Sequence, residues 1–226
     1  LGTPILIGTE KRIKEQLKKI GLDENHKIEI VNSTDKEKRE KYVKHLYRKL
    51  QREGQLERDV DRLVRNDRIA WGSSMIACKD ADAMVTGNIR HYAASIEKLK
   101  KVVDPRKGEE IFGMTMINAK GKTILVADTN VEDFPSAQRL VNVSKSCVRV
   151  ARLFGFDPKV AFLSHSTFGN PVSKNTKHVR DAINLLKKEN VNFDFDGEMQ
   201  PDVALNPIYQ EIYPFSKIVG NANVLI

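Results

Sequence analysis

Two short stretches concentrate groups able to hold an oxygen-rich ligand. The first, Ser164-His165-Ser166-Thr167-Phe168-Gly169-Asn170-Pro171, supplies the hydroxyls of Ser164, Ser166 and Thr167. The second, Asp196-Gly197-Glu198-Met199-Gln200-Pro201-Asp202, supplies Asp196, Gln200 and Asp202. Hydroxyls donate to phosphoryl or carbonyl oxygens, and carboxylates accept from hydroxyls and amides. Local turn bonding is the competing reading, because Ser, Thr, Asn and Asp close turns through their own backbone. Two further candidates lie elsewhere. Asp128 ends an apolar run at 123–128, and Arg90 follows the Thr86-Gly87 turn, where the amides of a starting helix attract phosphate. Each has an ordinary alternative, Asp128 as a turn former and Arg90 as a solvated cap. His165 and His178 show no metal-ligand spacing.

Strands and helices must position these groups. Residues 160–163 read as an apolar strand, 176–189 as a charged helix and 191–196 as a second strand. In an open α/β sheet the loops at the carboxyl ends of strands line the ligand crevice. The hydroxyl-bearing and carboxylate-bearing loops are therefore expected to face one cleft. Upstream, the pattern predicts a strand at 4–8, a helix capped by Thr9 and ended by Gly21, and a second strand at 27–32. Two amphipathic helices broken at Gly54 fill 33–68, and Asn66-Asp67-Arg68 opens a third. Residues 80–87 read as a short buried strand, and Asn88 starts a helix reaching Val102. A hairpin spans 111–128 through Lys120-Gly121, a helix capped by Ser136 runs to Phe154, and 207–213 is helical. Asp104-Pro105-Arg106-Lys107-Gly108 is the best linker. It gives a first αβα subdomain at 1–103 and a second at 104–226.

The composition sets bounds. With 226 residues and 40% apolar content the chain can bury a full core. Strands alternating with helices favour α/β. The formal net charge of +8 invites nucleic acid or membrane as partners. Yet the positives are interspersed with acids, as in Asp35-Lys36-Glu37-Lys38-Arg39-Glu40, and no aromatic-basic stripe accompanies them. The expected partner is a small molecule, with no nucleic acid and no membrane. Cys78 and Cys147 form no CxxC and fit buried thiols in a reducing cytoplasm. No apolar run approaches the ~20 residues of a membrane span. The chain begins at Leu1 and ends on strand-like Asn223-Val224-Leu225-Ile226, so flanking segments are expected at both ends.

No P-loop, GxGxxG, HExxH or nucleophile elbow is present. Five short motifs do occur in order: 80–87, Val126-Ala127-Asp128-Thr129, 163–171, 196–205 and 220–225. Together they resemble phosphate acetyltransferases. The runs Leu50-Gln51-Arg52-Glu53-Gly54, Arg65-Asn66-Asp67-Arg68, Asn206-Pro207 and Ile212-Tyr213-Pro214-Phe215-Ser216 look like one branch, the phosphotransacetylase-like domain fused behind bacterial NADP-dependent malic enzymes. The resemblance implies a three-layer αβα sandwich of two subdomains with a cleft, as in the isocitrate dehydrogenase class. It implies acetyl-CoA or CoA, or a related phosphorylated metabolite, as ligand, a regulatory and assembly role, and a homo-oligomer. NADP and a divalent metal are implied only for a malic enzyme part outside this chain, with no cofactor in this stretch and no catalysis by it alone. A working phosphate acetyltransferase is the alternative. The family's phosphate-contacting Arg has no clear counterpart, since Ala93, Ala94 and Ile96 occupy its region and Arg90 comes earlier. The family's late Ser-Arg pair and base lie beyond Ile226, so no residue is assigned as base.

Overall fold

Residues 2–22, 28–87 and 90–226 are described by the structure, a computed structural model. They fold as two units, Leu1–Asp104 and Pro105–Ile226, each with its own core.

The first unit opens with β1 (Ile5–Ile7), α1 (Glu10–Lys19) and β2 (Glu29–Val31); the strands pair in parallel, Ile5 opposite Glu29 and Ile7 opposite Val31. Thr9 occupies the N-cap of α1, but its side chain makes no capping bond. Next comes α2 (Lys36–Leu50), capped by Asp35, which accepts from the Lys38 amide. Its Tyr42, Val43, Leu46 and Leu50 are buried, one stripe at helical spacing. Gly54, left-handed at φ 80°, turns the chain into α3 (Glu57–Asn66), which buries Val60 and Val64. The central helix is α4 (Arg68–Ala77), buried continuously from Ile69 to Met75. Its Trp71 meets Tyr42 edge-to-face at 5.0 Å, a geometry worth roughly 0.5–1.5 kcal/mol beyond area burial.

Residues 80–87 form no strand, contrary to their apolar pattern: Val85 is fully exposed and the segment finds no ladder among the described residues. Asp80 instead accepts from Lys41 and from the Tyr42 hydroxyl, which pins the segment's start to α2. Asn88 and Ile89, the expected start of the following helix, lie outside the described residues; α5 runs from Tyr92 to Val102.

The second unit is built on a five-stranded sheet. Its strands are β3 (Met114–Ala119), β4 (Lys122–Ala127), β5 (Lys159–Leu163), β6 (Asp194–Met199) and β7 (Val224–Leu225), in the order β3-β4-β7-β5-β6. Only β3 is antiparallel, joined to β4 through Lys120 and Gly121, both at positive φ as a tight hairpin turn requires. Along β5, Val160 and Phe162 face one cluster and Ala161 another, the alternation of a strand covered on both sides. The larger cluster packs under α6 (Ala137–Leu153) and α7 (Lys177–Glu189). The smaller gathers Met199, Ala204, Ile218 and Leu225 around a short helix, α8 (Pro201–Leu205). The last expected helix is a 3-10 turn, Pro207–Gln210.

The second central strand sits later than its apolar residues suggest. Residues 191–193 pack against the core as a connection, and β6 continues through Gly197 to Met199. Gly197 makes this possible, because a Cβ there would lie 2.6 Å from the Phe162 carbonyl oxygen. The register of β5 on β6 shifts at that point.

Candidate functional site

Because β5 and β6 are adjacent and parallel, the loops at their carboxyl ends emerge side by side. Hydrogen bonds join them. Ser164 N donates to Met199 O at 3.0 Å, Phe168 N to Glu198 O at 2.7 Å, and Gln200 N to Thr167 Oγ1 at 3.2 Å. The Gln200 side-chain amide donates to His165 O at 2.7 Å. The first loop doubles back between Thr167 and Asn170, which exchange backbone bonds across Phe168 and Gly169, both at positive φ. For Phe168 that backbone is strained, and contacts with Tyr213 and Phe215, ring centroids at 5.3 and 4.9 Å, hold it there.

At the centre lies Glu198, 1% exposed. One of its oxygens accepts from the Ser166 hydroxyl at 3.1 Å, the Gly169 amide at 3.0 Å and the Arg180 guanidinium at 3.0 Å. Arg180, on the second turn of α7, also donates to Thr176 Oγ1 and Ser173 O. A buried carboxylate is sustained only by such a set of donors. Sequence reasoning missed both residues. Glu198 stands among acids in what read as a loop, and its counter-charge lies on a helix before the strand, so only the three-dimensional fold joins them.

The structure divides the sequence candidates. Ser164, Ser166, Thr167 and Gln200 come together. Ser166 and Thr167 are buried and engaged by Glu198 and by the Gln200 amide; they shape the loop from within. Ser164 is half-buried, and Ser166 N donates to its hydroxyl. The exposed rim is formed by His165, Asn170, Gln200 and Asp202, the last in the first turn of α8. Asp196 is buried and already engaged: it accepts from the amides of Gly197 and Lys217 and fixes the segment after α8.

Asp128 is engaged elsewhere in the second unit. One oxygen accepts from Gly113 N at 2.7 Å and the other from Arg139 at 2.7 Å, and its side chain is 4% exposed. Arg139 also pairs with Glu110. Burial alone would lower the Arg139 pKa, but the hydrogen bonds it donates to the Asp128 and Glu110 carboxylates outweigh burial and raise it. In the first unit, Arg90 donates to Asp67 at 2.7 Å and Lys98 donates to the same oxygen. Burial would raise the Asp67 pKa, yet these two cations and the amides of Ala70 and Ile69 hold it down at about 2. Cys147 is a buried thiol whose pKa burial lifts to about 12, which leaves it unreactive. Among the described residues no His, Cys, Asp or Glu cluster is placed to hold a metal ion, and no helix is long and apolar enough to cross a membrane.

A mixed, mainly parallel sheet whose neighbouring strand ends carry interlocked polar loops defines an α/β unit of the open-sheet class. The chain belongs to the phosphate acetyl/butaryl transferase family, whose model matches residues 1–226. It is similar to the NADP-dependent malic enzyme of Rhizobium meliloti strain 1021, with 40% identity across the whole chain and 30% of the relative. It is likewise similar to the probable NADP-dependent malic enzyme of Rickettsia prowazekii strain Madrid E, with 37% identity over 31% of that relative. This chain thus spans about a third of the length of these relatives. Among solved structures, a phosphotransacetylase from Streptococcus pyogenes superposes with a TM-score of 0.82 and 26% identity, over 99% of this chain and 68% of the other.

Proposed function

We propose that this chain is the phosphotransacetylase-like part of an NADP-dependent malic enzyme, and that it binds acetyl-CoA as a regulatory ligand at the joined loops of β5 and β6. The carrying observation is the Glu198 network. A buried carboxylate, an arginine and a buried serine fix the loop backbone, while His165, Asn170, Gln200 and Asp202 stand exposed around it. Such an arrangement favours binding over group transfer: the rim offers donors and acceptors to a thioester or phosphate, and the buried groups supply rigidity. Within this reading the module also helps assemble a homo-oligomer, and malate oxidation belongs to the malic enzyme part of the longer polypeptide.

Calorimetric titration of the full-length protein with acetyl-CoA, run beside malate turnover, tests the proposal. Binding should shift malate turnover by a coupling of roughly 1–3 kcal/mol. Tight binding with turnover unchanged at every malate concentration would sink the regulatory half. The second reading, an active phosphate acetyltransferase, is favoured by the likeness to the streptococcal phosphotransacetylase over 68% of its length. There the coenzyme A thiol would attack the acetyl carbonyl of acetyl phosphate, losing its proton to a base as phosphate leaves. Acetyl-CoA formation from those two substrates by the full-length protein would establish it, and a rate no higher than background would remove it.

A further inference from the structure

A polar hollow of about 250 Å³ opens in the first unit at the carboxyl ends of β1 and β2, the end of a parallel pair where ligands sit. Thr9 follows β1, Asn32 and Ser33 follow β2, and Arg65, Arg68 and Trp71 come from the junction of α3 with α4. We infer that this hollow binds the phosphoryl group of a small phosphorylated metabolite.

Three features converge on that chemistry. Arg65 and Arg68 are exposed and make no ion pair among the described residues, so both positive charges are available. Thr9 leaves the first turn of the ten-residue α1 without a side-chain cap, and its opening amides favour an anion. Asp67, the acid in the wall, is already compensated by Arg90, Lys98 and two amides, and so offers little repulsion. Trp71 contributes to the same wall and is 1% exposed, so it reports on the hollow from behind its surface. The volume falls below the ~300–1,000 Å³ of pockets for drug-sized ligands, which limits the occupant to a small metabolite or the phosphate end of a larger one. This inference does not rest on the acetyl-CoA reading, which concerns loops of the second unit.

Trp71 is the chain's single tryptophan, so its fluorescence reports on this wall directly. The chain is titrated separately with inorganic phosphate, glycerol 3-phosphate and adenosine 3′,5′-bisphosphate. A saturable change is expected, weakened about tenfold or more in the Arg65→Ala/Arg68→Ala double variant. A response to glycerol 3-phosphate identifies a free metabolite as the source, and a response to the bisphosphate alone identifies the nucleotide end of a coenzyme. Both arginines are exposed, so the variant keeps its fold; Ser33→Asp, which puts a carboxylate in the hollow, is the second probe and should abolish the response. No saturable change with any of the three, or a change that both variants retain, overturns the inference.

Discussion

Two carboxylates carry opposite lessons about charge. Glu198 is almost wholly buried, whereas its partner Arg180 keeps about a third of its side chain exposed. Removing the arginine leaves a buried negative charge facing only a hydroxyl and an amide; removing the charge from the glutamate leaves an arginine that water can still reach. Arg180→Leu should therefore cost about 2–4 kcal/mol and Glu198→Gln about 1–2 kcal/mol in urea unfolding. The reverse order would mean that Glu198 is held by something other than this pair. Asp67 is read through pH. Its folded pKa of about 2 lies below the ~3.9 of an unfolded aspartate, so its contribution is complete above about pH 4 and disappears as pH falls toward 2. The two cations are partly exposed, which reduces the contribution to roughly 1–2 kcal/mol. Asparagine also caps helices well, so Asp67→Asn keeps the cap of α4 and loses only the charge. Its stability at neutral pH should fall by that amount, and the part of the acid slope between pH 4 and 2 due to Asp67 should vanish. An unchanged slope would show that the ion pairs contribute nothing.

Among the elements, the helices were legible and the strand ends were not. The stripe Tyr42, Leu46, Leu50, the Ser136 cap and the charged run of α7 each carry their signal locally, so α2, α6 and α7 appear where expected. Residues 80–87 have apolar and β-branched members, but a strand exists only when a neighbour supplies the other half of its ladder, which no local pattern can reveal. The sequence pattern ends the second central strand early because Gly197 reads as punctuation. In the fold it is the residue that lets β6 pass close to Phe162 and deliver Glu198 beneath the first loop. This shift separates what the sequence showed of the site, its hydroxyls, from what it concealed, the acid that organises them. Gly197→Ala tests the element. The added methyl would meet the Phe162 carbonyl oxygen and the backbone would have to move, at a cost of at least about 1–3 kcal/mol. Because the displacement starts next to Glu198, affinity for the proposed acetyl-CoA ligand should fall along with the midpoint of unfolding. Retention of both would mean that the close approach is absent in solution.

For the molecule as a whole, the question is whether the second unit can stand alone. All five strands of the larger sheet, together with α6, α7 and α8, fall within Pro105–Ile226. The buried members of both its apolar clusters, from Leu125 to Leu225, come from the same stretch, while those of the first unit's core run from Val31 to Val102. Its sheet is covered on both faces, by α6 and α7 on one and by α8 with the segment before β7 on the other. A chain of this size with its own two-sided core is long enough to fold independently. Produced alone, Pro105–Ile226 should give a far-UV circular dichroism spectrum of mixed α/β type and a single cooperative urea transition. Phe162→Ala, at the centre of that core, should lower its stability by about 3–5 kcal/mol. The Ser166–Glu198–Arg180 network would also be intact, since all its members lie in this unit. The isolated unit then tests the proposed acetyl-CoA site directly. Retained binding would place the affinity in the β5 and β6 loops, and a folded unit that no longer binds would show that the first unit contributes contacts the ligand requires. A non-cooperative transition, or a spectrum without sheet, would refute the independence of the second unit itself.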